Sequence, residues 1–99
     1  MKKVIVVGAG QMGGGIAQVC ASADLEVMLV DVGEAHLEAG VSAIKKSLAK
    51  LAEKGGRPPE EVLLNLSTST KIPEDSGADV AIEAVIEDEK IKFSVLAEL

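Results

Sequence analysis

The chain has 99 residues, enough for one small domain, with 47% hydrophobic and 1% aromatic residues and a formal net charge of −6. With no Trp, no Tyr and Phe93 alone, a core must be built from Val, Ile, Leu and Ala, which favours α/β layering over an aromatic-rich sandwich. The acidic balance argues against nucleic-acid and anionic-membrane partners, the lone Cys20 excludes an internal disulfide framework, and no apolar run nears the ~20 residues of a membrane span. A cytoplasmic protein with no targeting segment is expected.

Lys3 to Val7 is a continuous apolar run that stops at Gly8, as expected of a strand buried on both faces of a parallel sheet. Gln11 to about Ala23 is helix-compatible, with Met12, Ile16 and Val19 spaced to share one face. Glu26 to Val30 is a second short strand that ends at Asp31, and strand, helix, strand within some 30 residues makes a βαβ unit. Glu34 to Lys54 is strongly helical, its apolar stripe running Leu37, Val41, Ile44, Leu48, Leu51. Gly55-Gly56 stops it, and Pro58-Pro59 with Glu60-Glu61 opens a shorter helix. Leu66 to Lys71 suggests a short strand, Pro73 to Gly77 a turn, Asp79 to Val85 a buried strand, and Asp88 to Leu99 a helix. That last apolar pattern runs to Leu99 without a stop signal, so further strands are expected beyond it.

Gly8-Ala9-Gly10-Gln11-Met12-Gly13 matches G-x-G-x-x-G. The hexapeptide alone would equally serve a tight turn. Here it follows an apolar strand and opens a helix, and Asp31 closes the second strand 18 positions after Gly13. In that setting Gly8 serves the turn, Gly10 lets the backbone approach a pyrophosphate, and Gly13 brings helix and strand together. The helix start then holds the phosphates, and Asp31 accepts hydrogen bonds from the adenosine ribose while repelling a 2′-phosphate. NAD is the expected cofactor, in preference to NADP. Gly15, unfavourable within a helix by about 1 kcal/mol against Ala, is expected to answer a need for close packing on the sheet.

More of the chain carries a likeness to one family. Gly8 to Val19 resembles the G-x-G-x-M-G-x-G-I-A-Q-V opening of the 3-hydroxyacyl-CoA dehydrogenases, within which the 3-hydroxybutyryl-CoA enzymes are the nearest in kind. Val30-Asp31 and the long helix with Ser47-Leu48 and Lys54 are similar too, as is Ile82 to Lys92, which looks like the family's E-A-V-x-E-x-x-x-x-K segment. The resemblance implies residues 1–99 form the amino-terminal portion of a Rossmann-type parallel sheet with helices on both faces. The carboxyl-terminal strands and helical domain would be absent. It further implies that Glu87 and Lys92 contact NAD. From the residues alone those two read as a solvated loop acid and an exposed helix base.

Lys45, Lys46, Lys50 and Lys54 place four of the ten basic residues within ten positions, and Ser47 and Lys54, seven apart, share a helix face. A cationic strip of this kind suits the phosphates of coenzyme A or simply balances a solvated surface. By resemblance, Ser47 and Lys54 are the coenzyme A contacts and an acyl-CoA is the substrate.

Asp24 stands where the family usually has Gly at the end of the first helix, at a small expected cost in stability. The family's reaction is hydride transfer between a 3-hydroxyacyl-CoA and a 3-ketoacyl-CoA. Its His base, orienting Glu, and the Ser and Asn that steady the substrate lie past the point these residues reach. The resemblance also implies a homodimer formed through the carboxyl-terminal domain. His36 reads as a solvent-exposed helix residue and Cys20 as a small buried one, so no catalytic residue and no metal ligand is assigned. Two other readings stand beside this one: a dehydrogenase of small 3-hydroxy acids, and a non-catalytic NAD-binding module.

Overall fold

The computed structural model describes residues 3–72, 77–85 and 90–95. Strand β1 (Lys3–Val7) leads into helix α1 (Gln11–Ser22), strand β2 (Glu26–Val30) and the long helix α2 (Glu34–Glu53). Helix α3 (Pro59–Leu63), strands β3 (Leu66–Ser69) and β4 (Val80–Val85), and strand β5 (Lys90–Val95) follow. The sheet order is β3-β2-β1-β4-β5, with the first four strands parallel. Stepping outward from β1 to β3 and then returning to β4 on the other side of β1 is the Rossmann pattern, and it leaves a crevice at the carboxyl ends of β1 and β4.

The apolar runs form strands because both sides of the pleat are buried. Val4, Val6, Val27, Leu29 and Ile82 form one cluster with Ala17 and Ala21 of α1, Leu37, Ile44 and Leu48 of α2, and Val62 of α3. Ile5, Val30 and Ala78 form a second cluster with Val7, Met28 and Ala81, to which no described helix contributes. All three described helices thus lie over one face. Right-handed crossovers that step β1 to β2 to β3 in one direction must leave on the same side.

Two expectations need correction. The buried line of α1 is Gly13, Gly14, Ala17 and Ala21, whereas Val19 is 70% exposed. Small residues face the sheet because they let the helix approach closely; Ile16 still packs against the core from the flank and Met12 is half-buried, so of the three expected positions only Val19 turns to solvent. Residues 90–95, expected within a helix over Asp88 to Leu99, form strand β5 instead, paired antiparallel to β4 with Ile82 opposite Phe93. Ile91, Phe93 and Val95 alternate with Lys90, Lys92 and Ser94, a period of two that suits a strand. The expected turn over Pro73 to Gly77 lies outside the described residues except for Gly77.

Two helix ends show how local chemistry terminates an element. At the end of α2, Gly55 takes φ +93° and the N–H of Gly56 donates to the Leu51 carbonyl at 2.8 Å. At the end of α1 the left-handed position is filled by Asp24, φ +64°, and the N–H groups of Asp24 and Leu25 donate to the carbonyls of Ala21 and Cys20. This is the Schellman closure, which favours Gly at that position. Arg57 compensates, donating to the Asp24 carboxylate at 2.9 Å and to the Ser22 carbonyl at 3.0 Å. Asp24→Ala is therefore expected to cost about 1 kcal/mol more than Asp24→Gly, because both lose the carboxylate that Arg57 donates to but only Ala keeps a Cβ in the left-handed region. Urea unfolding of the two variants measures that difference, and equal midpoints would remove the left-handed strain from the account.

Candidate functional site

The turn between β1 and α1 sits where the strand order reverses. The Gly8 N–H donates to the Val30 carbonyl at 2.7 Å, tying the turn to β2. Gly8 itself has φ +102°, and a Cβ there would lie 2.8 Å from the Ala84 carbonyl oxygen on β4. Only glycine satisfies both the torsion and the space. One helical turn on, a Cβ at Gly13 would overlap the Gly8 carbonyl oxygen, so the start of α1 rests directly on the turn. Gly10 has an ordinary φ of −67°, so a side chain there would take up space without straining the backbone.

The first N–H groups of α1, at Gln11, Met12 and Gly13, have no acceptor within the helix. Gly10 offers no side chain to cap them, and the first turn holds no acidic residue. A bare, positive helix end next to a floor of glycines matches a pyrophosphate in charge and in space.

Asp31, at the carboxyl end of β2, is brought against this turn. Its side chain is 11% exposed. One carboxylate oxygen accepts from the Ala9 N–H at 3.0 Å and the other from the Gly33 N–H at 2.9 Å. These two donors, Ala9 foremost, hold the carboxyl below the usual carboxylate range; burial opposes them, and the neighbouring His36 adds to the lowering. An ionised carboxylate has about four acceptor positions, so the two backbone bonds leave capacity for ribose hydroxyls. His36 stands with Nδ1 3.4 Å from the Asp31 carboxylate, its side chain 71% exposed. The exposure is as expected. The pairing with Asp31 has no signal in the local pattern.

A cleft of about 590 Å³ runs from Ala9 and Gly10 along the seam between α1 and α2. Gly14, Gly15 and Gln18 line it from α1, and His36, Gly40, Ala43 and Ser47 from α2. Gly15 is exposed, and a Cβ on it would meet nothing within 4 Å. Close packing on the sheet, expected of it, is therefore not its purpose; its bare surface faces the cleft. Gly40 explains how α2 reaches the turn, since a Cβ there would come within 2.8 Å of the Ala9 carbonyl oxygen. A glycine inside a 20-residue amphipathic helix was the sequence signal for that contact.

Ser47 lies in the cleft, where its hydroxyl accepts a hydrogen bond from the Gln18 side-chain amide at 2.9 Å. Lys54 caps the far end of α2, exposed, as are Lys45, Lys46 and Lys50. Cys20 is half-buried against the core and burial pushes its thiol up. Glu87 lies outside the described residues. Lys92 stands in β5, in register with Glu83 and two residues short of the carboxyl end of β4.

The family model for the NAD-binding domain of 3-hydroxyacyl-CoA dehydrogenases matches residues 3–99. The chain belongs to this family. NAD is accordingly its cofactor. A probable 3-hydroxybutyryl-CoA dehydrogenase of Bacillus subtilis is 41% identical over the whole chain, and one of Deinococcus radiodurans is 41% identical over 95% of it. Among solved structures, Mycobacterium tuberculosis FadB2 superposes with a TM-score of 0.81 at 40% identity over 89% of the chain. The chain spans only 36% and 34% of the two curated relatives' lengths and 32% of the FadB2 chain.

No described helix is long and apolar enough to cross a membrane.

Proposed function

We propose that this chain is the cofactor-binding part of an oxidoreductase that interconverts 3-hydroxyacyl-CoA and 3-ketoacyl-CoA. The observation that carries this reading is the bare start of α1 held against the ionised Asp31 through Ala9. Gly8, Ala9, Gly10, Gln11, Met12 and Gly13 cradle the pyrophosphate, and Asp31 accepts from the ribose. The family likeness adds Glu87 and Lys92 as further cofactor contacts, and Ser47 with Lys54 as contacts to coenzyme A.

Bound NAD supplies the hydride acceptor, and NADH the donor, for the substrate C3 carbon. The chain's own residues bind and orient. Loss of the hydroxyl proton needs a base, and His36 is not placed for that step, because it sits on Asp31 at the ribose end of the site. The 99 residues are therefore expected to bind cofactor without turnover. The same reading takes the whole enzyme as a cytoplasmic homodimer. Its base and dimer contact would lie in the two-thirds of the relatives' length that this chain does not match.

A fluorescence titration with NADH, run beside NADPH, tests the cofactor site. Saturable NADH binding is expected, with NADPH weaker by at least about tenfold because the Asp31 carboxylate opposes a 2′-phosphate. Equal affinity for both, or no binding to a chain shown by circular dichroism to be folded, would refute the assignment of Asp31 and the glycine turn.

A further inference from the structure

The hydrogen bond between Gln18 and Ser47 joins residues 29 apart across the α1–α2 seam, and both line the cleft. Its direction carries chemical information. The Gln18 amide nitrogen can only donate, so the Ser47 oxygen is committed as the acceptor. The single hydroxyl proton of Ser47 is then left to point elsewhere and to donate. A serine prepared in this way recognises an acceptor, and an anionic oxygen makes the stronger partner.

The surroundings match. Gly15 on one wall and Ala43 on the other bring little side-chain bulk to the cleft beside Ser47. Gly15 has no packing partner to explain its missing Cβ, so the space is kept for something outside the chain. Beyond Ser47 the same helix exposes Lys50 and Lys54, which supply positive charge at the far end.

We propose that Gln18 is a positioning residue for the acyl-CoA site: by donating to Ser47 it fixes that hydroxyl as a donor toward a phosphate oxygen of coenzyme A. This inference rests on the proposed role of Ser47 in holding coenzyme A. Gln18 touches no ligand itself.

The test is a double-mutant cycle on the 99-residue chain, with coenzyme A as titrant in calorimetry and NADH binding and thermal melting as controls. Gln18→Met removes the donor without adding charge, and Ser47→Ala removes the hydroxyl. Each single change is expected to weaken coenzyme A binding by about tenfold, with NADH affinity unchanged. The double variant is expected to bind no more weakly than Ser47→Ala alone. Gln18→Glu provides the contrast: it keeps a hydrogen bond across the seam but makes Ser47 the donor to Glu, so it should retain melting behaviour and still lose coenzyme A. Unchanged coenzyme A binding in Gln18→Met, or strictly additive losses in the cycle, would overturn the role of Gln18. Failure of the unmodified chain to bind coenzyme A while binding NADH would instead overturn the acyl-CoA reading, and this inference with it.

Discussion

Gly13→Ala is expected to abolish NADH binding and to lower stability by about 3 kcal/mol, shifting the melting temperature by about 15 °C in a domain of this size. Two effects oppose each other at this position. Alanine favours the helix by about 1 kcal/mol over glycine. Its Cβ, however, would overlap the Gly8 carbonyl oxygen. Gly8 itself has little room to retreat, because its N–H is bonded to Val30 and the Ala84 carbonyl stands behind it. Helix α1 must lift off the turn, carrying its first N–H groups with it. Gly15→Ala is the control on the same helix: with nothing within 4 Å of its Cβ, it should keep the propensity gain and raise stability. Urea unfolding of both variants decides the matter, and a Gly13→Ala chain as stable as the Gly15→Ala chain would show that α1 is not seated on Gly8.

Asp31→Asn should have the second-largest effect, and on two properties at once. The carboxylate accepts from the Ala9 and Gly33 N–H groups with its two different oxygens. An amide keeps one acceptor and turns an –NH2 toward the other donor, at a cost of about 1–2 kcal/mol. NADH affinity should fall by about tenfold as the charged acceptor for the ribose is lost. Binding of NADPH should fall less, since the repulsion of a 2′-phosphate also disappears.

The pH dependence has a definite sign. The folded-state pKa of Asp31 is depressed, with the Ala9 N–H as the leading cause. Its carboxylate therefore stabilises the fold fully above the unfolded value of about 3.9, and that contribution is lost as pH falls through the lower folded value. The stability gap between the parent chain and Asp31→Asn should be constant near neutrality and close below about pH 4. A gap that persists undiminished in acid would mean that the ionised carboxylate is not what braces the turn.

Much of this was legible in the residues because the physics is local. A run such as Lys3 to Val7 stopping at Gly8 has few alternatives to a buried strand, and the glycine spacing with Asp31 follows from what a phosphate-binding turn requires. The 20-residue α2 shows itself through a repeating apolar stripe and the Gly55-Gly56 stop. Local pattern failed where two solutions share one pattern. On α1 the larger apolar residues pointed to Met12, Ile16 and Val19; Ile16 does pack on the core, but close approach to the sheet centres the buried line on Gly13, Ala17 and Ala21 and leaves Val19 exposed. Over residues 90–95 the composition tolerates helix or strand, and pairing with β4 settles the strand.

By itself, then, the sequence determined the parallel α/β architecture and the glycine turn that leads from β1 into α1, because each depends on residues close in the chain. Tertiary structure decided the contacts that span it. It set Asp31 as an acceptor for Ala9, seated α2 on the turn through Gly40, and joined Gln18 to Ser47. Those contacts arise where elements distant in sequence pack together, and the shape and spare hydrogen-bonding capacity of the site come from that packing.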